Sequence, residues 1–289
     1  MSAPSLASLR RQLWRDWPRI VDACRLDPIR SAQVKAALPL TPKLLGSSVK
    51  VKAGESLGVL SSVVYLAPAG ELFGAEGSGR RTLCPKASPE CEAACLGRKA
   101  GRMIMRPMER ARAWKAALFL GDRALFRALL LAEAEAFARK ARKAGMRSAI
   151  RVDGSSDTGE GQRLHAALRA AGVDHVWDYS KVLGRALRAI GGEYSLTFSF
   201  SGHNVAESLE VLRAGGGVAV VFSSAKGEAL PSAWNGFPVV DGDVSDARFL
   251  DRSHNGAPAS GGYVVGLRFK AAARRAEALA EAGPFVVAA

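Results

Sequence analysis

The 289-residue sequence predicts an α/β protein: a parallel (β/α) barrel, complete or incomplete, with an N-terminal helical extension and an open doubly wound sheet as the alternative. Three observations lead there. Short apolar strands recur along the second half of the chain, helical stretches lie between or after most of them, and polar residues gather just past the strand ends. Two parts are expected: residues 1–45 as the extension and 46–289 as a barrel-like domain carrying a cysteine loop.

The extension is read from Leu6, Leu9, Leu13 and Trp17, which recur at helical spacing before Pro39 and Pro42 break the pattern. Residues 57–66, LGVLSSVVYL, are apolar and β-branched and predict a buried strand closed by Pro68 and Gly70. A helical stretch over about 107–143 divides near Gly121–Asp122, because Asp122 is a good N-cap ahead of Leu125, Phe126, Leu129 and Leu130. Six further strands follow at Ala149–Val152, His175–Trp177, Ser195–Phe200, Gly217–Phe222, Pro238–Val240 and Tyr263–Phe269. The interval 241–261 breaks the rhythm and is expected as loop, with Ser253–Gly262 a mobile surface stretch.

Parallel sheets place their chemistry at the carboxyl edge, and polar tips stand there in this chain. They are Asp153-Gly-Ser-Ser-Asp157, Asp178-Tyr-Ser-Lys181, the group Ser199, Ser201, His203 and Asn204, then Ser223, Ser224 and Lys226, and finally Asp241, Asp243 and Asp246. Any one of these also serves as a helix cap; the repetition over five strands is what points to a site.

The formal charge of +14 is concentrated. Residues 80–150 hold 17 Lys/Arg against 6 Asp/Glu, whereas 151–289 hold 14 against 15. Arg98, Lys99, Arg102, Arg106 and Arg110 follow the cysteine loop in quick succession and suit phosphate or nucleic acid, though a solvated helix face has the same composition. No apolar run is long enough to span a bilayer and no apolar segment follows Met1, so a cytoplasmic protein with no membrane role is expected. There is no P-loop, no H-E-x-x-H and no G-x-S-x-G.

Three of the four cysteines lie within twelve residues, as Cys84-x6-Cys91-x3-Cys95, with Cys24 apart. This spacing suits a shared ligand better than disulfides. Three thiolates leave one position of a bound group open, which fits an iron–sulfur cluster such as 4Fe–4S, or a zinc ion whose fourth ligand is remote. Three reduced, half-buried thiols are the plain alternative.

These residues resemble the gene product 88 family of phages and plasmids. The features that carry the resemblance are LGVLSSVVYLAPA, CPKASPECEAACL, RVDGSSD at 151–157, WDYSKVL at 177–183, LTFSFSGHN at 196–204, VAVVF at 218–222 and VVDGDVSDARFLD at 239–251. The resemblance spans roughly residues 44–270 and implies the architecture but no activity. A cysteine loop after the first strand is also similar in placement to the radical S-adenosylmethionine enzymes, which implies S-adenosylmethionine as a further cofactor. The spacing departs from the C-x3-C-x2-C of that group.

Two functions are expected from the residues. One is a metal- or cluster-bearing enzyme acting on a nucleotide or nucleic acid, with Asp157, Asp178, Lys181 and His203 as catalytic candidates, Asp153 and Asn204 lining the pocket and Tyr179 stacking a base. The other is a non-catalytic nucleic-acid-binding accessory protein with a structural zinc. The acidic group Asp241, Asp243, Asp246 and Asp251 could hold Mg²⁺ but is more simply solvated.

Overall fold

The computed structural model describes residues 4–47, 53–68, 71, 82–99, 101–270 and 275–289, without the side chains of 98, 99, 101 and 102. Its frame is a ten-stranded sheet: β1 (Leu45–Gly46), β2 (Val59–Val64), β3 (Arg147–Arg151), β4 (His175–Ser180), β5 (Ser195–Ser199), β6 (Gly217–Phe222), β7 (Ala233–Trp234), β8 (Phe237–Asp241), β9 (Tyr263–Arg268) and β10 (Val286–Val287). The spatial order is β1-β2-β3-β4-β5-β6-β9-β8-β7, with β10 attached to β6. Strands β2 to β6, β9 and β8 run parallel, while β1 and β7 close the two ends as antiparallel partners of β2 and β8.

The parallel α/β sheet expected from the sequence is present, and closure into a barrel is not shown: among the described residues no pairing joins β1 to β7, and β9 enters between β6 and β8 instead of following them in order. The physical reason lies in the connections: no helix follows β6, and the chain makes a short hairpin and a long excursion before returning as β9.

Helices cover one face. α1 (Leu6–Ala23) and α2 (Pro28–Lys35) precede the sheet, and α3 (Pro89–Ala93) and α4 (Leu96–Lys99) belong to the cysteine loop. α5 (Arg106–Gly121) and α6 (Arg123–Lys143) come next, then α7 (Glu160–Ala170), α8 (Leu183–Ala189) and α9 (Val205–Arg213) as the crossovers. Asp122 divides α5 from α6 as the sequence predicts, its side chain accepting from the Leu125 amide at 3.0 Å. α1 packs into the core of the sheet's helix side: Leu9, Leu13, Trp17 and Ile20 are buried in one apolar cluster with Leu118, Phe126, Leu130, Ile150 and Val176. Gly121 permits that crossing, since a Cβ there would run into the Ile20 carbonyl. Cys24 sits in the same contact, its thiol reaching the carbonyls of Ile20 (3.4 Å) and Ala117 (3.3 Å).

The opposite face is covered by the chain itself. The 241–261 interval, expected as loop with Ser253–Gly262 at the surface, contains a 3-10 turn (Arg248–Leu250), which packs on β4 and β5, and α10 (Asp251–His254). Ala247 and Leu250 are buried with Val59, Ala149 and Trp177, and Ala257 with Ala219, Val240, Tyr263 and Val265. His175 stacks on Phe249 with ring centroids 4.2 Å apart. This filling occupies the amino-terminal part of the face and leaves its carboxyl end open. The chain finishes with α11 (Arg275–Ala282), which packs on α3, and β10, which extends β6 beyond the point where β5 ends.

Candidate functional site: a cysteine-lined cavity at the carboxyl edge

A cavity of about 420 Å³ opens at the strand ends. Its wall includes Tyr65 after β2, Arg151 on β3, Ser155 to Asp157 beyond it, Tyr179 and Lys181 at the end of β4, Ser199 on β5, Val221 on β6, and Leu267 to Lys270 at the end of β9. Cys84, Cys91 and Cys95 all line it, and each is half-buried.

The cysteine loop is held by its own capping chemistry. Ser88 is the N-cap of α3, accepting from the Cys91 amide at 3.1 Å, and its hydroxyl donates to the Ser201 carbonyl at 2.8 Å. Cys91 lies in α3 and Cys95 just past it, so the two share roughly one side of the turn. Cys84 approaches the Ser155 carbonyl at 3.8 Å, and the Asp157 amide donates to Leu83 at 2.7 Å, which ties the loop to the tip of β3.

The tips themselves are tightly bonded. Asp153 accepts from the Ser156 hydroxyl (2.6 Å), the Thr158 amide and hydroxyl (2.9 and 2.8 Å) and the Gly159 amide (2.9 Å), so it builds the loop and is buried beneath it. Asp157 lines the cavity, but its carboxylate is engaged by the Ser180 hydroxyl (2.7 Å), the Lys181 amide (2.8 Å) and Arg185 (2.7 Å). Asp178 points the other way. It is 1 % exposed, accepts from the Asp153 amide (2.6 Å) and the Tyr194 hydroxyl (2.8 Å), and faces Gly161 of α7, where a Cβ would collide with its carboxylate. Burial, then the charge of Asp153, push its carboxyl well above the usual range. His203 stands outside the cavity wall, exposed and paired with Glu90 at 3.0 Å, and Asn204 bonds the backbone of Ser201 and Ser199. Of the four catalytic candidates, Lys181 and Asp157 therefore reach the cavity, and Asp178 and His203 do not.

Lys181 donates to the Ser199 hydroxyl at 3.2 Å and also contacts the Cys91 thiol. Burial works against its charge, but Cys91, Asp157 and Cys84 outweigh that and hold the ammonium above its ordinary range. Arg151 lies over the rings of Tyr179 (4.6 Å) and Trp177 (5.1 Å), donates to the Asp153 carbonyl at 3.1 Å and pairs with Asp246 at 3.4 Å. On a flat sheet β3 and β8, five strands apart, would be roughly 24 Å from one another. The pair forms because the chain after β8 turns back across the face. Arg151 escaped the sequence reading; the one signal available was a charged residue at the inward position of an otherwise apolar strand.

The acidic group is paired within the chain: Asp241 and Asp243 with Arg268 (2.8 and 3.5 Å), Asp243 with Lys270 (3.0 Å), and Asp251 with buried Arg248 (3.5 Å). In the basic segment, Arg106 and Arg110 are exposed, Arg110 donating to the Ala36 carbonyl at 2.6 Å, and Arg112 is buried against Glu71. The side chains of Arg98, Lys99 and Arg102 lie outside the described residues. Among the described residues, no three His, Cys, Asp or Glu side chains are gathered closely enough to hold a metal ion, and no helix is long and apolar enough to cross a membrane.

Fold and site together define a parallel α/β protein with a thiol-lined cavity at the carboxyl edge of its sheet. A family model described as Gene product 88 matches residues 41–281, so the chain belongs to the gene product 88 family. That match carries nothing of the likeness to radical S-adenosylmethionine enzymes. No curated protein and no solved structure matches.

Proposed function

We propose that this chain is an enzyme that holds a nucleotide-sized substrate in the cavity and uses the cysteine loop as its reactive centre. One observation supports this above the others: three thiols from the loop after β2 and the Lys181 ammonium from the tip of β4 line a single cavity of about 420 Å³, a size usual for small-molecule sites. Tyr65 and Tyr179 give the same wall aromatic surface. In this arrangement the Cys91 sulfur attacks an electrophilic centre of the substrate as its proton passes to solvent, the displaced group leaves with the electron pair of the broken bond, and Lys181 beside Cys91 offsets the negative charge that develops.

A second reading is favoured by the donor set. Three thiols on one wall have the chemistry of an iron–sulfur cluster site with an open position, or of a zinc site short of one ligand. Either group requires the thiols to draw closer together than they stand here. The chemistry assigned to the present arrangement is therefore that of the thiols and Lys181.

The test is metal and acid-labile sulfide analysis of protein purified without oxygen, alongside alkylation of the cysteines with and without nucleotides. Nucleotides that slow alkylation of Cys91 support the cavity enzyme. Iron with sulfide, lost in the Cys84/Cys91/Cys95→Ala variant, makes the loop a cluster site. Alkylation indifferent to every nucleotide, in protein free of metal, overturns the proposal.

A further inference from the structure

We infer that Arg151 and Lys181 form a phosphate-binding site in the cavity, for the phosphate monoester of a small-molecule ligand. The inference rests on the reading that a ligand occupies this cavity, and it names the group by which the ligand is held.

Among the described residues four cations line the cavity, and their partners divide them into two kinds. Arg268 bonds both oxygens of Asp241 at 2.9 and 2.8 Å, and Lys270 pairs with Asp243 at 3.0 Å. Those charges are already neutralised by short, well-formed pairs. Arg151 meets Asp246 through one nitrogen at 3.4 Å, and the Lys181 ammonium rests on a hydroxyl and a thiol. Asp157, which lines the same cavity, is bound by Arg185 at 2.7 Å and by two further donors. The described lining balances these four cations against Glu92, Asp157, Asp243 and Asp246, and Arg151 and Lys181 are the two whose pairing is loose; Ala219, Val221, Leu267, Phe269 and Phe285 add apolar wall that strengthens any charge–charge contact.

The two cations line the same cavity: Arg151 lies over the Tyr179 ring, and Lys181 stands just past the end of β4, two residues after Tyr179. The guanidinium is held by two aromatic faces and by the Asp153 carbonyl, so little freedom is lost when it binds. Its planar fork suits two oxygens of one phosphate, and the second negative charge of a monoester falls to Lys181.

Calorimetric titration of the full chain with inorganic phosphate, adenosine 5′-monophosphate, adenosine and acetate tests this. Phosphate and the monophosphate should bind, and adenosine about ten-fold or more weakly than the monophosphate. Arg151→Gln and Lys181→Met should each lower phosphate affinity by about ten-fold or more, and Arg151→Lys, which keeps the charge without the fork, should fall between Arg151→Gln and wild type. Arg139→Gln, an exposed cation far along α6, controls for net charge and should leave binding unchanged. Circular dichroism of each variant shows that it is folded. The inference is overturned if wild-type protein binds no phosphate, if folded Arg151→Gln and Arg151→Lys bind it as wild type does, or if acetate binds as tightly as phosphate. The thiol proposal is read separately: phosphate that binds while alkylation of Cys91 stays indifferent to ligand retains this site and removes the cysteine centre.

Discussion

Along β4, Val176 and Asp178 face the helices, while His175, Trp177 and Tyr179 face the returning chain and the cavity. The same division runs through β3, where Ile150 joins the helix-side core and Arg151 the cavity, and through β6, where Val218, Val220 and Phe222 oppose Ala219 and Val221. The helix side is closed by packing. The cavity side is assembled from aromatic rings, ion pairs and half-buried thiols contributed by parts of the chain far apart in sequence. Stability and chemistry are thus carried by opposite faces of the same strands, and substitutions on the two faces should separate them.

The largest effect is expected from Phe198→Ala, which empties a fully buried position on the helix side and should cost about 3–5 kcal/mol in a urea titration. A cost near zero would mean that this face is not the stabilising one. The helix side also holds an exception. Lys115 donates to the Leu44 carbonyl at 2.7 Å while Glu133 accepts from the amides of Leu44 and Leu45, each at 2.9 Å, so two buried charged side chains clamp the backbone at β1. Burial lowers Lys115 from 10.5 to about 8, with Glu133 pulling in the opposite direction. Between those values the unfolded chain binds a proton that the folded chain does not, so this group makes stability rise with pH across the window, by on the order of 3 kcal/mol in full. Unfolding midpoints measured at several pH values across that window should show the rise in wild type and lose it in Lys115→Met.

Asp178→Ala should cost about 2–3 kcal/mol, because it leaves the Asp153 amide and the Tyr194 hydroxyl without their acceptor. Asp178→Asn, which keeps an oxygen for one of them, should cost less. If instead Asp178→Asn abolished ligand binding at unchanged stability, the helix side would have a share in the chemistry. The smallest stability effect belongs to the cavity side. Cys84/Cys91/Cys95→Ala should shift the unfolding free energy by about 1 kcal/mol or less in metal-free protein, since all three thiols are half-buried, while removing every thiol from the cavity wall. A large loss would show that the loop is a structural knot.

The helix side was the more legible face. Seven strands were readable from their residues, each an apolar run between turn-forming stretches, and the division of α5 from α6 followed from Asp122 alone. The strand tips were located as a group but not sorted. Nothing in their residue types distinguishes Asp178, turned into the core, from Lys181, three residues on and turned into the cavity. The alternation of β4 separates them only once it is known which face the helices cover.

By itself the sequence determined the local structure: periodicity, caps and breakers act over a few residues, and the chain follows them nearly everywhere. The order of the strands, with β9 entering between β6 and β8, and the folding of residues 247–257 onto the inner face were decided by tertiary structure. So was the meeting of Arg151 with Asp246, which are 95 residues apart. Such contacts depend on which surfaces remain uncovered after the local elements have packed, and burial and charge pairing act across space without regard to distance along the chain.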